Sequence, residues 1–61
     1  MFAIYYINHL YYAQKKFGSI NAAIEYGKAK GFDFRVDQVH QNGKIIQMVC
    51  SWSIIRGLQH F

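Results

Sequence analysis

The stretch from Phe32 to Ser53 constrains the fold more than any other part of the chain, because it reads as two alternating runs folded about Asn42-Gly43. Phe32, Phe34 and Val36 take alternate positions with Asp33, Arg35 and Asp37 between them, and the alternation resumes at Ile46, Met48, Cys50 and Trp52. Period-two alternation places the apolar residues on one face of a strand. Asn-Gly between two such runs is the strongest short-range hairpin signal, since both residues accept positive φ. An antiparallel hairpin follows.

Its register is less direct. A two-residue turn at Asn42-Gly43 sets Phe34 opposite Ser51 and Asp33 opposite Trp52, which mixes the two faces. Moving the pairing by one residue sets Phe32 opposite Trp52, Phe34 opposite Cys50 and Val36 opposite Met48, so that directly opposed residues share a face. That register needs one extra residue on the first strand. Either a bulge near Asp37-Gln38 or a three-residue Gln41-Asn42-Gly43 turn with a left-handed glycine supplies it. The expected faces are then Phe32, Phe34, Val36, Met48, Cys50 and Trp52, to be covered by a helix, and Asp33, Arg35, Asp37, Val39, Ile45, Gln47, Val49 and Ser51. The second set is half polar and half β-branched, which suits a secondary contact or a dimer interface.

Upstream, Phe2–Ile7 is rich in aromatic and β-branched residues and reads as a first strand. Asn8-His9 then turns the chain into a second strand, Leu10–Gln14, pairing Ile7 with Leu10 and Tyr5 with Tyr12. A helix over Leu10–Phe17, with Leu10, Ala13 and Phe17 on one side, is the alternative; the four tyrosines of this region favour strand. Ser19–Lys30 reads as a helix punctuated at both ends. Ser19 suits the N-cap, Ile20, Ala23, Ile24 and Gly27 make a buried stripe, Lys28 and Lys30 fall in the last turn, and Gly31 fits the left-handed C′ position. Gly27 within the stripe predicts close approach to the sheet. The tail from Ile54 to Phe61 is too apolar to be left free and is expected to fold back onto the sheet or reach a partner chain. The chain is thus expected to be one α+β domain over residues 1–61, β-β-α-β-β in order, its small antiparallel sheet covered on one face by the helix.

Sixty-one residues hold one domain and sit near the lower limit for folding alone. With 52% hydrophobic and 18% aromatic residues, a monomer has little interior in which to hide them, so a homodimer or an apolar face kept for a partner is expected. The net charge of +4 favours acidic partners, whether nucleic acid, protein or lipid. The single cysteine gives no internal disulfide and no hint of an oxidising compartment. Met1–Tyr12 lacks the basic start of a signal peptide, and its apolar run is far shorter than the ~20 residues of a span. The expectation is a cytoplasmic protein without membrane contact.

Residues with catalytic potential are few. Cys50 lies in the inward row and reads as a small buried hydrophobe. His9, His40 and His60 lack metal-ligand spacing, and the glycines do not cluster into a phosphate loop. The row Asp33, Arg35 and Asp37 reads as a solvated ladder that keeps its strand soluble. No catalytic residue, cofactor or metal is therefore expected. Lys15 and Lys16 before the helix, with Lys28 and Lys30 at its end, permit a nucleic-acid reading in which lysines meet phosphates and tyrosines stack on bases.

The run Ala23-Ile24-Glu25-Tyr26 through Gly31-Phe32-Asp33-Phe34-Arg35-Val36, with Asn42-Gly43-Lys44 and Ser51-Trp52-Ser53, resembles small orphan proteins of phages and mobile elements. In size and in its lack of catalytic residues the chain is also similar to anti-CRISPR and other anti-defence proteins. That resemblance implies a β-rich domain with one helix that inhibits or adapts a host protein or ribonucleoprotein complex, and it assigns no individual residue a role. The leading expectation is a non-enzymatic binding module, with a homodimer expected, whose contacts are made by Tyr11, Tyr12, Lys15, Lys16, Lys28, Lys30 and Arg56, since tyrosine and arginine are common interface anchors. The alternative is a basic, sequence-tolerant nucleic-acid-binding protein using the same lysines.

Overall fold

The computed structural model describes residues 1–61. Six elements follow one another: β1 (Phe2–Tyr6), β2 (Tyr11–Tyr12), α1 (Ile20–Lys30), β3 (Phe34–Val39), β4 (Ile45–Ser53) and β5 (Gly57–His60). The strands form one antiparallel sheet in the order β2-β1-β3-β4-β5. The fold is α+β, as the pattern predicts, but the order is β-β-α-β-β-β rather than β-β-α-β-β. The apolar tail supplies the extra strand: Trp52 pairs with Leu58 and Ser51 with Gln59, so the tail folds back onto its own sheet. No helix is long and apolar enough to cross a membrane.

The helix forms where its punctuation says. Ser19 takes an extended conformation and its hydroxyl accepts from the Ala22 N–H at 3.2 Å, while Gly31 ends the helix at φ 76° with its N–H on the Lys28 carbonyl. Ala23, Ile24 and Gly27 are its buried positions. They close over Ile4, Tyr6, Phe34, Val36 and Cys50 to make the core, with Phe17 sealing one side. Gly27 is the point of closest approach: a Cβ there would lie 2.6 Å from the Phe34 ring. The close approach expected of this glycine is present.

The N-terminal hairpin has the predicted register at Tyr5 and Tyr12, but its second strand is only Tyr11–Tyr12, not Leu10–Gln14, and Leu10–Phe17 is not a helix. Ile7–Leu10 makes a four-residue loop in which the N–H groups of His9 and Leu10 both reach the Tyr6 carbonyl and Leu10 takes φ 59°. Beyond Tyr12 the chain loops out at Gln14, Lys15 and Lys16 and returns to β1 through a Phe2–Phe17 bridge.

The long hairpin turns through three residues, Gln41-Asn42-Gly43. The Gly43 N–H bonds to the His40 carbonyl, the His40 N–H to the Lys44 carbonyl, and Gly43 sits at φ 89°. The register away from the turn differs from the expected one. Val39 faces Ile45, Gln38 faces Gln47, Asp37 faces Met48, Val36 faces Cys50 and Phe34 faces Trp52. Two irregularities leave Ile46 and Val49 unmatched, so the extra residues lie on β4 and not on the first strand. Two bulges together move the pairing by two residues and reverse the facing twice. Trp52 accordingly stacks on Phe34 at 5.5 Å, not on Phe32, and Met48 falls beside Asp37 on the face away from the helix. Gln47 exchanges faces the other way and donates to Gln38 at 2.9 Å.

Candidate functional site

The helix packs over β1 and β3 on one side of the sheet; the other side carries no helix, although Ala3, Asp37 and Val39 on it are buried among neighbouring side chains. Since opposed residues share a face, the register assembles that open side. Its central rows are Tyr12, Tyr5, Arg35, Ser51 and Gln59, then Ala3, Asp37 and Met48, with Val39 and Ile45 beyond. Met1 joins the last row through its carbonyl, which accepts from Val39 N–H at 2.8 Å.

The centre of this face is a polar knot. Asp37 is fully buried. Its carboxylate takes two parallel bonds from Arg35, Nε to Oδ1 at 2.8 Å and Nη2 to Oδ2 at 2.9 Å, in the fork geometry that suits arginine. The Tyr12 hydroxyl donates to Oδ2 at 2.7 Å and accepts from Arg35 Nη2 at 3.2 Å. The Arg35 guanidinium also lies 4.8 Å from the centre of the Tyr5 ring, and Tyr5 and Tyr12 are 4.8 Å apart. The hydrogen bonds to Asp37 hold the guanidinium protonated more firmly than in water, even against its partial burial. Burial, followed by the bond to Asp37, pushes the Tyr12 phenol up, with Arg35 opposing.

Two hollows flank the knot on the same face. One, of about 210 Å³, is lined by Ala3, Tyr12, Ala13, Lys16, Val39 and Gly43. The other, of about 420 Å³, lies where Ser51, Ser53 and Gln59 meet the turn carrying Ile55 and Arg56. On the same face Met1, Ile45 and Met48 expose about half of their surface each.

The seven residues singled out from sequence do not form one surface. Tyr12 belongs to the knot and Lys16 borders it. Tyr11 points to the other face of its strand, 5.2 Å from Tyr6. Lys15 is held over the rings of Phe17 and Tyr26 at 5.5 and 5.8 Å. Lys28 and Lys30 end the helix, and Arg56 lies in the β4–β5 turn, its N–H on Ser53 Oγ. The residues missed are Tyr5, Arg35, Asp37 and Met48. The ladder reading of Asp33, Arg35 and Asp37 is corrected: Arg35 and Asp37 form a bidentate pair with a buried carboxylate, while Asp33 accepts from Ile54 N–H at 3.4 Å. The signal was available in the Tyr5–Tyr12 pairing and the Arg35–Asp37 spacing, but only the adjacency of β1 and β3 brings the two together.

Cys50 is fully buried beneath the helix side of the sheet, and burial pushes its thiol up. No three His, Cys, Asp or Glu side chains converge. His9 lies against Phe32, with ring centres 4.2 Å apart. Compared with known protein families, characterised proteins and solved structures, the chain matches none.

Proposed function

We propose that this chain is a non-enzymatic binding module whose uncovered sheet face docks on a partner protein. The observation that carries this reading is the make-up of that face. Met1, Ile45, Met48 and Tyr12 stand exposed around an arginine whose charge is already matched by a buried aspartate. Tyrosine, methionine and arginine are enriched, and lysine depleted, at the cores of protein interfaces.

The distribution of cations separates this reading from nucleic-acid binding. A phosphate track needs cations arranged along the bound strand. Here Lys16 and Arg56 border the open face at opposite ends, Arg35 is neutralised in the middle, and Lys15, Lys28, Lys30 and Lys44 lie in the loop before the helix, its last turn and the hairpin turn. The inhibitor or adaptor role of the anti-CRISPR kind, in a host cytoplasm, is the form the reading takes from the sequence resemblance. The knot then serves to fix Tyr5, Tyr12 and Arg35 before the partner arrives, which lowers the ordering cost of binding.

Met48→Lys tests the reading. Met48 is half exposed, so the fold should tolerate the change, and it sets a cation in the apolar part of the face. A protein that co-purifies with the wild-type chain from its native host should be lost from the variant. Retention of that protein by the variant, or salt-sensitive retention of single-stranded oligonucleotides that Met48→Lys strengthens, would overturn it.

A further inference from the structure

The sheet has three exposed stretches of edge, and two of them carry devices that discourage further pairing. The β2 edge is two residues long and leads into the Lys15-Lys16 loop. The first half of β4, beyond the reach of β5, is interrupted by the unmatched Ile46, with the unmatched Val49 at its end. Short strands, lysines and bulges are the usual means of blunting an edge. The outer edge of β5 has none of them. Leu58, Gln59 and His60 are exposed, carry no Lys, Glu, Asp or Pro, and pair with β4 in unbroken register.

The directions of its backbone groups follow from the ladder. Antiparallel neighbours alternate between pairs that exchange hydrogen bonds and pairs that do not. The Phe61 N–H bonds to the Val49 carbonyl at 3.0 Å in the same register as Ser51–Gln59 and Ser53–Gly57. Gly57, Gln59 and Phe61 therefore spend their groups on β4, and Leu58 and His60 present theirs outward.

We propose that this edge pairs with the same edge of a second copy, about a twofold axis through Gln59. That arrangement sets Leu58 opposite the second copy's His60 and His60 opposite its Leu58, so both outward N–H groups and both outward carbonyls of each chain find partners. An axis at Leu58 does less well: it brings Arg56 into the ladder, and the Arg56 N–H is already held by Ser53 Oγ at 3.0 Å. At Gln59 the two amides meet directly. The molecule already contains that contact, since Gln47 donates to the directly opposed Gln38 at 2.9 Å. An uncharged edge also brings no like charges together, so self-pairing is not opposed by the net charge of +4 at the point of contact. The product is one continuous sheet across two chains. Both helices lie on the same side of it and both open faces on the other.

The test is sedimentation equilibrium over a wide range of concentration, with the fold of each variant checked by circular dichroism. The wild-type chain should reach twice the monomer mass. His60→Pro removes an outward N–H that β4 does not use, a place where edge strands accept proline, and should weaken the dimer roughly tenfold or more. Gln59→Lys and Gln59→Glu should each weaken it about fivefold, and their equimolar mixture should recover it. A wild-type chain that stays monomeric throughout overturns the proposal. So does a dimer indifferent to His60→Pro, whatever the Gln59 variants do, because the Gln59 side chain also lies on the open face and that of His60 does not.

Discussion

Gly27→Ala sets a local preference against a tertiary contact, and the structure decides which wins. Alanine in a helix interior is favoured over glycine by up to about 1 kcal/mol. Gly27 lies in the middle of α1, so helix propensity alone predicts a more stable protein. The added Cβ, however, would sit 2.6 to 2.8 Å from three carbons of the Phe34 ring, closer than real Cβ atoms come to a neighbour. Phe34 has no room to retreat, being fully buried and stacked on Trp52 at 5.5 Å. Either the ring leaves its rotamer or the helix lifts from the sheet, and overpacking of this kind costs ~1–3 kcal/mol. The net expectation is a loss of about 1–2 kcal/mol. Urea unfolding followed by far-ultraviolet circular dichroism reads it as a lowered midpoint at unchanged slope. Ala29→Gly, at an exposed position of the same helix, isolates the propensity effect and should cost up to about 1 kcal/mol. A Gly27→Ala protein more stable than wild type would refute the argument, because the helix would then not bear on Phe34.

Tyr6 is fully buried beneath the helix and its hydroxyl has no hydrogen-bond partner, so Tyr6→Phe should stabilise the protein by about 1 kcal/mol in the same assay. Burial first, then the neighbouring Tyr26 and Tyr11, raise the Tyr6 phenol, and Tyr12 is raised too. In a tyrosinate absorbance titration these two should therefore ionise above the usual range. With folded pKa values above the unfolded value of 10.0, their contribution to stability is complete below pH 10 and is lost as pH climbs through the raised values. Tyr12→Phe should remove one late-titrating group. Asp37→Ala leaves Arg35 without its carboxylate. With Arg35 a quarter exposed, the loss should be about 2–3 kcal/mol, below the range for fully buried pairs, and visible as a lowered urea midpoint. Cys50 should react with thiol reagents only as fast as the protein unfolds, since burial both hides it and raises its pKa.

What could be read from sequence was whatever a few neighbouring residues decide. Ser19 and Gly31 bound the helix because capping is settled within a turn, and Gln41-Asn42-Gly43 forms its loop because only three residues and one positive φ are involved. The hairpin's register needed more than that. Ile46 and Val49 are ordinary strand residues, and nothing in their own chemistry marks them as unmatched. They stay unmatched because Trp52 gains a stack on Phe34 and Cys50 a place in the core beside Val36. Period-two alternation assumes an unbroken ladder, so it misplaced Met48 and Gln47 together. The tail is similar: Gly57–His60 reads as apolar chain, and its identity as a strand exists only against Cys50–Ser53.

The candidate site shows the same division more sharply. Arg35 and Asp37 stand two apart on one strand, so a shared face was legible, as was the Tyr5–Tyr12 pair. What the sequence does not show is that β1 lies between β2 and β3, because the helix separates Tyr12 from Arg35 along the chain. Once those strands adjoin, four residues that look like two solvated pairs become one knot with a buried carboxylate at its centre. A carboxylate in that position is tolerable only if it is paired and hydrogen-bonded, and here three donors from two residues meet it. The knot therefore orders the open face while leaving its apolar margin, Met1, Ile45 and Met48, free for contact. A solvated ladder would keep that strand in water. A satisfied pair held flat beneath tyrosines makes the same strand a surface on which something else can lie.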